Sequence, residues 1–398
     1  MNSGSAKALF TKSAALLLAG LTVVCLGQAQ EPEPPLRREP SLLKIDLHQF
    51  GYDTSRSTNH LSKFVPGFTD STHLAIAWLT LDDPTIADKT GPATARPAHL
   101  HVLVIDATTG QKIGVQTWPT PSTSVRFLAA RDGKFLTCTG NILRLFSPSF
   151  EVIRERDLAA GRAGMKMDLW NARWEISPSR KSLLISSYLG PQSYEEALLD
   201  VESFAVIAQW TEKFPIDNAS DHWLVASCGP KREPCVRGVD KSWQAFQPLG
   251  MDKAVTQFRS ELARFVSDDT LVMGSDKMSL VRVDGTELFH FDFPRGRSFE
   301  GTVTSTDGGR FAIIEDRRRG IASQPLDMYA LLSNDRAVVY SVADRRAIYS
   351  IRVKGSSPWP PWATHYNRLA LSADGRLLAI VDGASLEVYR LPDAKSVH

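Results

Sequence analysis

Motifs of recognised catalytic chemistry are missing from this 398-residue chain. It has no Gly-x-Ser-x-Gly elbow, no His-Glu-x-x-His, no glycine-rich phosphate loop and no EF-hand pattern of aspartates. Charge of one sign is missing as well. Lys7 and Lys12 account for the formal charge of +2, and the chain beyond them carries 44 basic and 44 acidic residues. Nucleic acid as a general partner is thereby excluded, because phosphate binding needs a basic excess or stripe. Beyond the first 29 residues no apolar run reaches the roughly 20 residues of a transmembrane helix. Helical periodicity is almost absent, and cysteine is sparse, at four.

The N-terminus carries a different signal. Lys7 and Lys12 form a positive region, Ala14 to Leu26 is apolar but short, and Gly27-Gln28-Ala29 offers small residues at a cleavage site. Residues 1–29 are therefore expected to be a signal peptide removed after Ala29, with export to the periplasm or beyond. A lipid anchor on Cys25 is the alternative; Val24 stands where such a site wants a small residue. Residues 30–40, with "EPEPPLRREP" (31–40), read as a Pro-rich linker. Export permits disulfides, and "CGPKREPC" sets Cys228 and Cys235 around a turn, so a Cys228–Cys235 bridge is expected, with two thiols as the alternative. Cys138, in "KFLTCTG", reads as a small buried hydrophobe on a strand.

What the chain has in quantity is apolar strands joined by tight turns. "LALSADGRLLAIVDGASLEVYRLP" (369–392) reads strand, turn, strand, turn, strand. "FLAARDGKFLTCTGNILRLFSPSFEVIRERDL" (127–158) follows the same order and adds a fourth strand. Further copies fall at 60–118, 174–210, 264–293 and 303–353, and a worn one at 221–249, whose first strand is hard to place. Asp-Gly, Thr-Gly and Gly-Asn turns between such strands are hairpin chemistry. Four-stranded antiparallel units recurring every 40–50 residues or so are the signature of a β-propeller. The expectation is all-β, with seven blades over residues 41–392 and a tail at 393–398. The last unit has three strands, whereas "SLLKIDL" (41–47) matches the fourth-strand pattern of "AIYSIRV" and "ELFHFDF". Residues 41–50 should then complete the last blade and close the ring, removing an exposed edge.

The closing unit and "VLVIDATTGQKIG" resemble the WD40-like, YVTN-type repeat of secreted bacterial propellers, in which a Ser-Pro-Asp-Gly-type turn joins the first two strands. The likeness covers nearly all of 41–392. The chain departs from standard WD40 repeats in lacking a Gly-His opening and a Trp-Asp ending in each blade, so the hydrogen-bond network those residues form is not implied. Propellers of this class include lyases, quinone-dependent dehydrogenases, peptidase lids and interaction scaffolds, so the resemblance implies architecture and leaves activity open.

Long segments are expected on one face of such a ring, where strand two joins strand three and blade joins blade. Within blades these are 82–98, 190–196, 229–234 and the stretch 316–329. At the junctions they are "WPTPST" (118–123), "GRAGMKMDLWNARW" (161–174), "PRGRSFEG" (294–301) and "SSPWPPWATHY" (356–366). Trp118, Trp170, Trp359, Trp362, His365 and Tyr366 are candidate binding residues on this rim, with Arg295, Arg297, Arg317, Arg318 and Arg319 beside them. The plainer reading is that the tryptophans wedge between blades and the arginines pair with nearby acids. His99 and His101 alternate on "AHLHVLV" and share a face, a spacing that suits a metal, but no further ligand is apparent. No catalytic residue, metal or cofactor is expected. The resulting expectation is a monomeric, non-enzymatic scaffold that binds a protein or peptide. A lyase- or dehydrogenase-type site at the channel mouth is the alternative; it would draw single residues from several blades.

Overall fold

The computed structural model describes residues 40–52, 65–82, 97–121, 125–159, 172–190, 193–212, 216–228, 233–239, 263–274, 277–293, 298–316, 335–353 and 368–393. Residues 34–398 form one compact unit. The expected leader, and the linker apart from Pro40, lie outside the described residues, as do 394–398 of the tail.

The first strand, β1 (Leu43–Asp46), belongs to the last sheet. Sheet 1 consists of β2 (Val65–Phe68), β3 (His73–Leu81), β4 (Ala98–Asp106) and β5 (Lys112–Thr120), each antiparallel to the next. Sheet 2 is β6 (Val125–Ala129), β7 (Phe135–Thr139), β8 (Ile142–Phe146) and β9 (Val152–Asp157). Sheet 3 is β10 (Arg173–Ile176), β11 (Ser182–Gly190), β12 (Ser193–Asp200) and β13 (Val206–Glu212). Sheet 4 has β14 (Ile216–Ala219), β15 (Trp223–Cys228) and β16 (Glu233–Gly238). Sheet 5 runs β17 (Ala263–Phe265), β18 (Thr270–Gly274), β19 (Lys277–Arg282) and β20 (Glu287–Asp292). Sheet 6 runs β21 (Ser298–Thr304), β22 (Arg310–Asp316), β23 (Arg336–Ser341) and β24 (Arg346–Arg352). Sheet 7 is β25 (Leu369–Leu371), β26 (Leu377–Asp382) and β27 (Ser385–Arg390), completed by β1.

This is an all-β propeller with four-stranded antiparallel blades. Six complete blades are described, not the seven expected; sheet 4 shows three strands among the described residues. Its first strand, hard to place in the sequence, lies at Ile216–Ala219, upstream of the expected unit, because "FPIDNAS" carries too few apolar residues to announce a strand. Two expected loops are also shorter than read. The 190–196 segment is mostly strand, with a link of two residues between β11 and β12, and 229–234 shrinks to four between β15 and β16. In that hairpin Cys228 stands opposite Glu233, and Cys235 opposite Ala226. A cross-strand bridge takes directly opposed residues, and neighbours two rungs apart lie about 7–8 Å from each other. The register therefore does not supply the expected pairing, and both side chains fall outside the described residues.

Each sheet is buried on both faces by its neighbours, which explains why the middle strands read as unbroken apolar runs. All six residues of β23 are buried, whereas the outer strand β9 is largely exposed. Apolar clusters occupy the interfaces in ring order. Phe127, Phe135 and Val102 fill sheets 1/2; Leu136, Ile185 and Phe204 fill 2/3; Leu184, Leu198 and Leu224 fill 3/4. Val225, Phe265 and Met273 fill 4/5; Val272, Leu280 and Phe311 fill 5/6; Ile314, Tyr349 and Leu378 fill 6/7. Cys138 is a buried thiol in the 2/3 cluster, its pKa pushed up by burial to about 12, so it packs as an inert small hydrophobe.

The last cluster joins sheet 7 to sheet 1, and β1 supplies part of it. Ile45 and Leu47 pack there with Leu74, Ile76, Leu386 and Val388. Strand β1 pairs with β27 from Leu43↔Val388 to Asp46↔Ser385, with Lys44 bound to Glu387 at 2.9 Å. A 3-10 turn at Leu47–Phe50 then ends at Gly51, whose φ of 89° suits glycine. The expected closure by residues 41–50 is present.

Chain direction sorts the connections. Among the described residues, turns between strands one and two, and between three and four, fall at one end of the sheets and hold three to five residues. Connections from strand two to three, and from sheet to sheet, leave from the other end. These include 82–97, 158–172, 317–335 and 353–368; the stretch after β16 instead starts at the short-turn end, where Val239 N donates to His222 O at 2.8 Å. The short-turn face is stitched around the ring. Gly133 N donates to Thr69 O (3.1 Å), and Ala373 N to Asp70 O (3.2 Å), joining sheets 2 and 7 to sheet 1. Asp307 N donates to Ala373 O at 3.2 Å, between sheets 6 and 7. Ser179 Oγ reaches both carboxylate oxygens of Asp221 at 2.8 and 2.7 Å, linking sheets 3 and 4. Asp268 of sheet 5 takes Asp221 N at 3.0 Å and His222 Nδ1 at 2.6 Å.

Burial acts to raise the pKa of Asp268, but the hydrogen bond from His222, the next largest effect, and its smaller companions overcome it, so the carboxyl lies below its ordinary value. Asp70 is lowered in the same way: burial opposes, and the His73 and Thr72 amides with the His73 ring outweigh it. A carboxyl whose folded pKa is depressed stabilises the fold above its unfolded pKa, near 3.9, and that contribution is lost as pH falls through the folded value. The melting temperature is therefore expected to hold from about pH 7 to 5 and to drop below about pH 4. Asp268→Asn should lower it at neutral pH and flatten the acid slope; an acid slope as steep as the parent's would remove Asp268 from this account.

Candidate functional site

The first strands of the sheets pack on one another around the axis: β2 touches β6 and β25, β14 touches β10 and β17, and β25 touches β21. The approach is closest where a Cβ on Gly67 of β2 would lie 2.5 Å from Ala129 Cβ of β6. These strands alternate. Val125 and Phe127, Trp174, and Ala263 and Phe265 enter the apolar clusters. The positions between them are Arg126, Arg173, Glu175 and Arg264.

Three of those charged groups meet. Arg173 Nε donates to Glu175 Oε1 at 3.1 Å, and Arg264 Nη2 lies 3.7 Å from the same oxygen. Glu175 belongs to sheet 3 and Arg264 to sheet 5, so this ion pair passes sheet 4 and runs along the axis side of the first strands. Arg126 of sheet 2 reaches towards sheet 3, its guanidinium donating to Val125 O at 3.3 Å and to Ala172 O, next to Arg173 in the chain, at 3.4 Å. Burial pulls the Arg126 pKa below its ordinary value, partly offset by Cys138. Arg126 and Arg173 stand at the starts of their strands, towards the long-connection face.

A fifth group marks the opposite end. Arg180, in the short turn of sheet 3, is buried and donates to Phe68 O of sheet 1 and, at 3.2 Å, to Ala130 O of sheet 2. Burial lowers its pKa to about 10, against a small opposing effect of Asp70, which leaves it charged at neutral pH. Its φ is +60°, a left-handed conformation in which the corresponding turns carry Gly133, Gly308 and Gly375. A non-glycine residue there costs about 1 kcal/mol, held in place by its surroundings. In "SPSRKS" the sequence does carry this signal, an arginine where the sister repeats have glycine.

Of the rim residues read from the sequence, Trp118 is described. It packs between sheets 1 and 2, its ring 5.0 Å from Phe146 and 6.0 Å from Phe150. This half-buried packing fits the wedge role. Trp170, Trp359, Trp362, His365, Tyr366, Arg295, Arg297, Arg317, Arg318 and Arg319 lie outside the described residues. In their neighbourhood by topology, the structure adds a pair the sequence reading missed. Tyr188 (49% exposed) and Leu189 (41% exposed) end β11, and Tyr188 stands opposite Tyr194, rings 5.4 Å apart. Of these, Tyr194 lies in "GPQSYEE", which reads as a loop in the sequence.

His99 and His101 do share a face, but each has a protein partner. His99 Nδ1 is 2.7 Å from Asp82. His101 lies between the Thr80 hydroxyl (2.8 Å) and that of Thr117 (3.0 Å), stacked on Trp78 at 5.1 Å. Burial and then the nearby His99 lower the His101 pKa, keeping that ring neutral. Among the described residues no three His, Cys, Asp or Glu side chains group to hold a metal ion, and no helix is long and apolar enough to cross a membrane.

No family model matches the chain, and no curated protein matches its sequence. Among solved structures it is similar to the C-terminal WD40 domain of Sif2, at 12% identity and a TM-score of 0.46, over 90% of this chain and 99% of that one. It is also similar to a chain of the mitotic checkpoint complex, at 13% identity and a TM-score of 0.48, over 90% and 98%. At this identity and TM-score neither carries over a function.

Proposed function

We propose that the protein is an exported seven-bladed propeller of the YVTN type that binds a protein or peptide on its long-connection face. Sheet 4 is taken as the seventh blade, because it packs into apolar clusters on both sides as its six companions do. One observation carries the reading: the described turns on one face hold three to five residues and are stitched together, whereas the long connections 82–97, 158–172, 317–335 and 353–368 leave from the other. Long segments displayed from one side of a rigid scaffold are the usual place for recognition. The exposed Tyr188 and Leu189, with the half-buried Tyr194 at that end, add the aromatic surface interfaces favour. Export to the periplasm or the exterior rests on the leader at 1–29.

The test is capture of partners from the native exported fraction, with Trp359→Ala/Trp362→Ala as the control. A partner bound by the parent and lost by the double variant is the expected result. Equal capture by both would take this face out of the account. A propeller enzyme with its site at the channel mouth gains support from one finding, the meeting of ionisable groups of sheets 3 and 5 at the axis.

A further inference from the structure

Packing gives no reason for the charges at the axis. The apolar needs of β6, β10 and β17 are met by Val125, Phe127, Trp174, Ala263 and Phe265. Small or apolar residues at the intervening positions would close the ring at less cost, because gathering like charges away from water is unfavourable. The positions hold three guanidinia and one carboxylate instead. Each guanidinium stands on a different sheet of a closed ring, so their spacing is fixed before any ligand arrives. Arginine is also the side chain best shaped to bind carboxylate or phosphate oxygens. Glu175 shows the geometry: one oxygen, 3.1 Å from Arg173 and 3.7 Å from Arg264, already occupies the place an incoming anion would share.

We propose that Arg173 and Arg264, which share one oxygen of Glu175, form an anion-binding site at the axis, open to the long-connection face and serving an acidic group of the ligand. The inference rests on the reading of that face as the binding face and narrows its ligand to one with a negative charge. Arg180 closes the other end, so access is from the side where Arg126 and Arg173 begin their strands. Glu175 is then a built-in competitor that holds the arginines apart until an anion displaces it.

The anion could belong to an acidic peptide or be a small free ion, and two probes separate them. One is fluorescein-labelled hexaglutamate, followed by anisotropy at low salt; the other is inorganic phosphate, followed by thermal shift. Binding of hexaglutamate should weaken about tenfold in Arg264→Gln and tighten several-fold in Glu175→Gln, because the internal competitor is gone. The opposed signs guard against misfolding, which can only weaken binding. Phosphate binding alone, with the same two signs, supports the site and assigns it to small anions. No binding of either probe, or binding indifferent to both substitutions, overturns the proposal. The scaffold reading fails separately: capture lost in Trp359→Ala/Trp362→Ala but normal in Arg264→Gln keeps the face and discards the axis site.

Discussion

Removal of residues 41–50 is expected to leave no soluble, folded monomer. The strand it deletes is small, but three effects add. Ile45 and Leu47 leave a cluster in which both are buried, at roughly 1.5–3 kcal/mol each. The four-residue ladder with β27 is lost, and with it the bond from Leu47 N to Ala384 O at 2.7 Å. The sum is several kcal/mol against a total stability of about 5–15 kcal/mol. What remains is an open array with the apolar edge of β27 exposed, a template for pairing with other chains. Leu47→Ala isolates the packing part, and a loss of about 2–5 kcal/mol in denaturant unfolding is expected. A deletion protein that stays monomeric with unchanged melting would refute closure as the source of stability.

Arg180→Met should be the most destabilising single change on the short-turn face. The substitution removes a buried charge, which is favourable, and leaves two buried carbonyls without their donor, which costs about 1–3 kcal/mol each. The second effect wins because it counts twice, and a net loss near 2 kcal/mol is expected. Arg180→Gly removes the same hydrogen bonds, yet relieves the left-handed backbone by about 1 kcal/mol and leaves room for water at the carbonyls. It should therefore melt above Arg180→Met. The reverse order would mean that the methionine stem, by filling space, matters more than the guanidinium.

The fold was legible because its determinants are local. Tight turns such as "SADG" and "DATTG" need particular residues at particular steps, and apolar runs between them admit few alternatives. Closure was legible too, since "SLLKIDL" repeats the pattern of other outer strands. What escaped the reading depends on distant residues. Ile216–Ala219 becomes a strand through pairing with β15 and packing under Leu198, neither visible in "FPIDNAS". Axis charges from sheets 3 and 5 lie far apart in sequence, and nothing in "RWEI" or "ARF" announces that Arg173, Glu175 and Arg264 meet. For Trp118 the sequence leaves rim and wedge side by side, and its position beside Phe146 and Phe150 fits the wedge. Aromatic residues at blade junctions serve packing and recognition alike, and composition does not separate the two.

The division of labour between the faces is the centre of this account, and lysine crosslinking to a captured partner measures it directly. Lys89, Lys166 and Lys354 lie in long connections, while Lys134 and Lys181 lie in stitched short turns. Crosslinks from the partner to the first group, with Lys134 and Lys181 unmodified by it, are the expected result. A partner held through Lys134 or Lys181 and absent from the long connections would contradict it and move recognition to the opposite face.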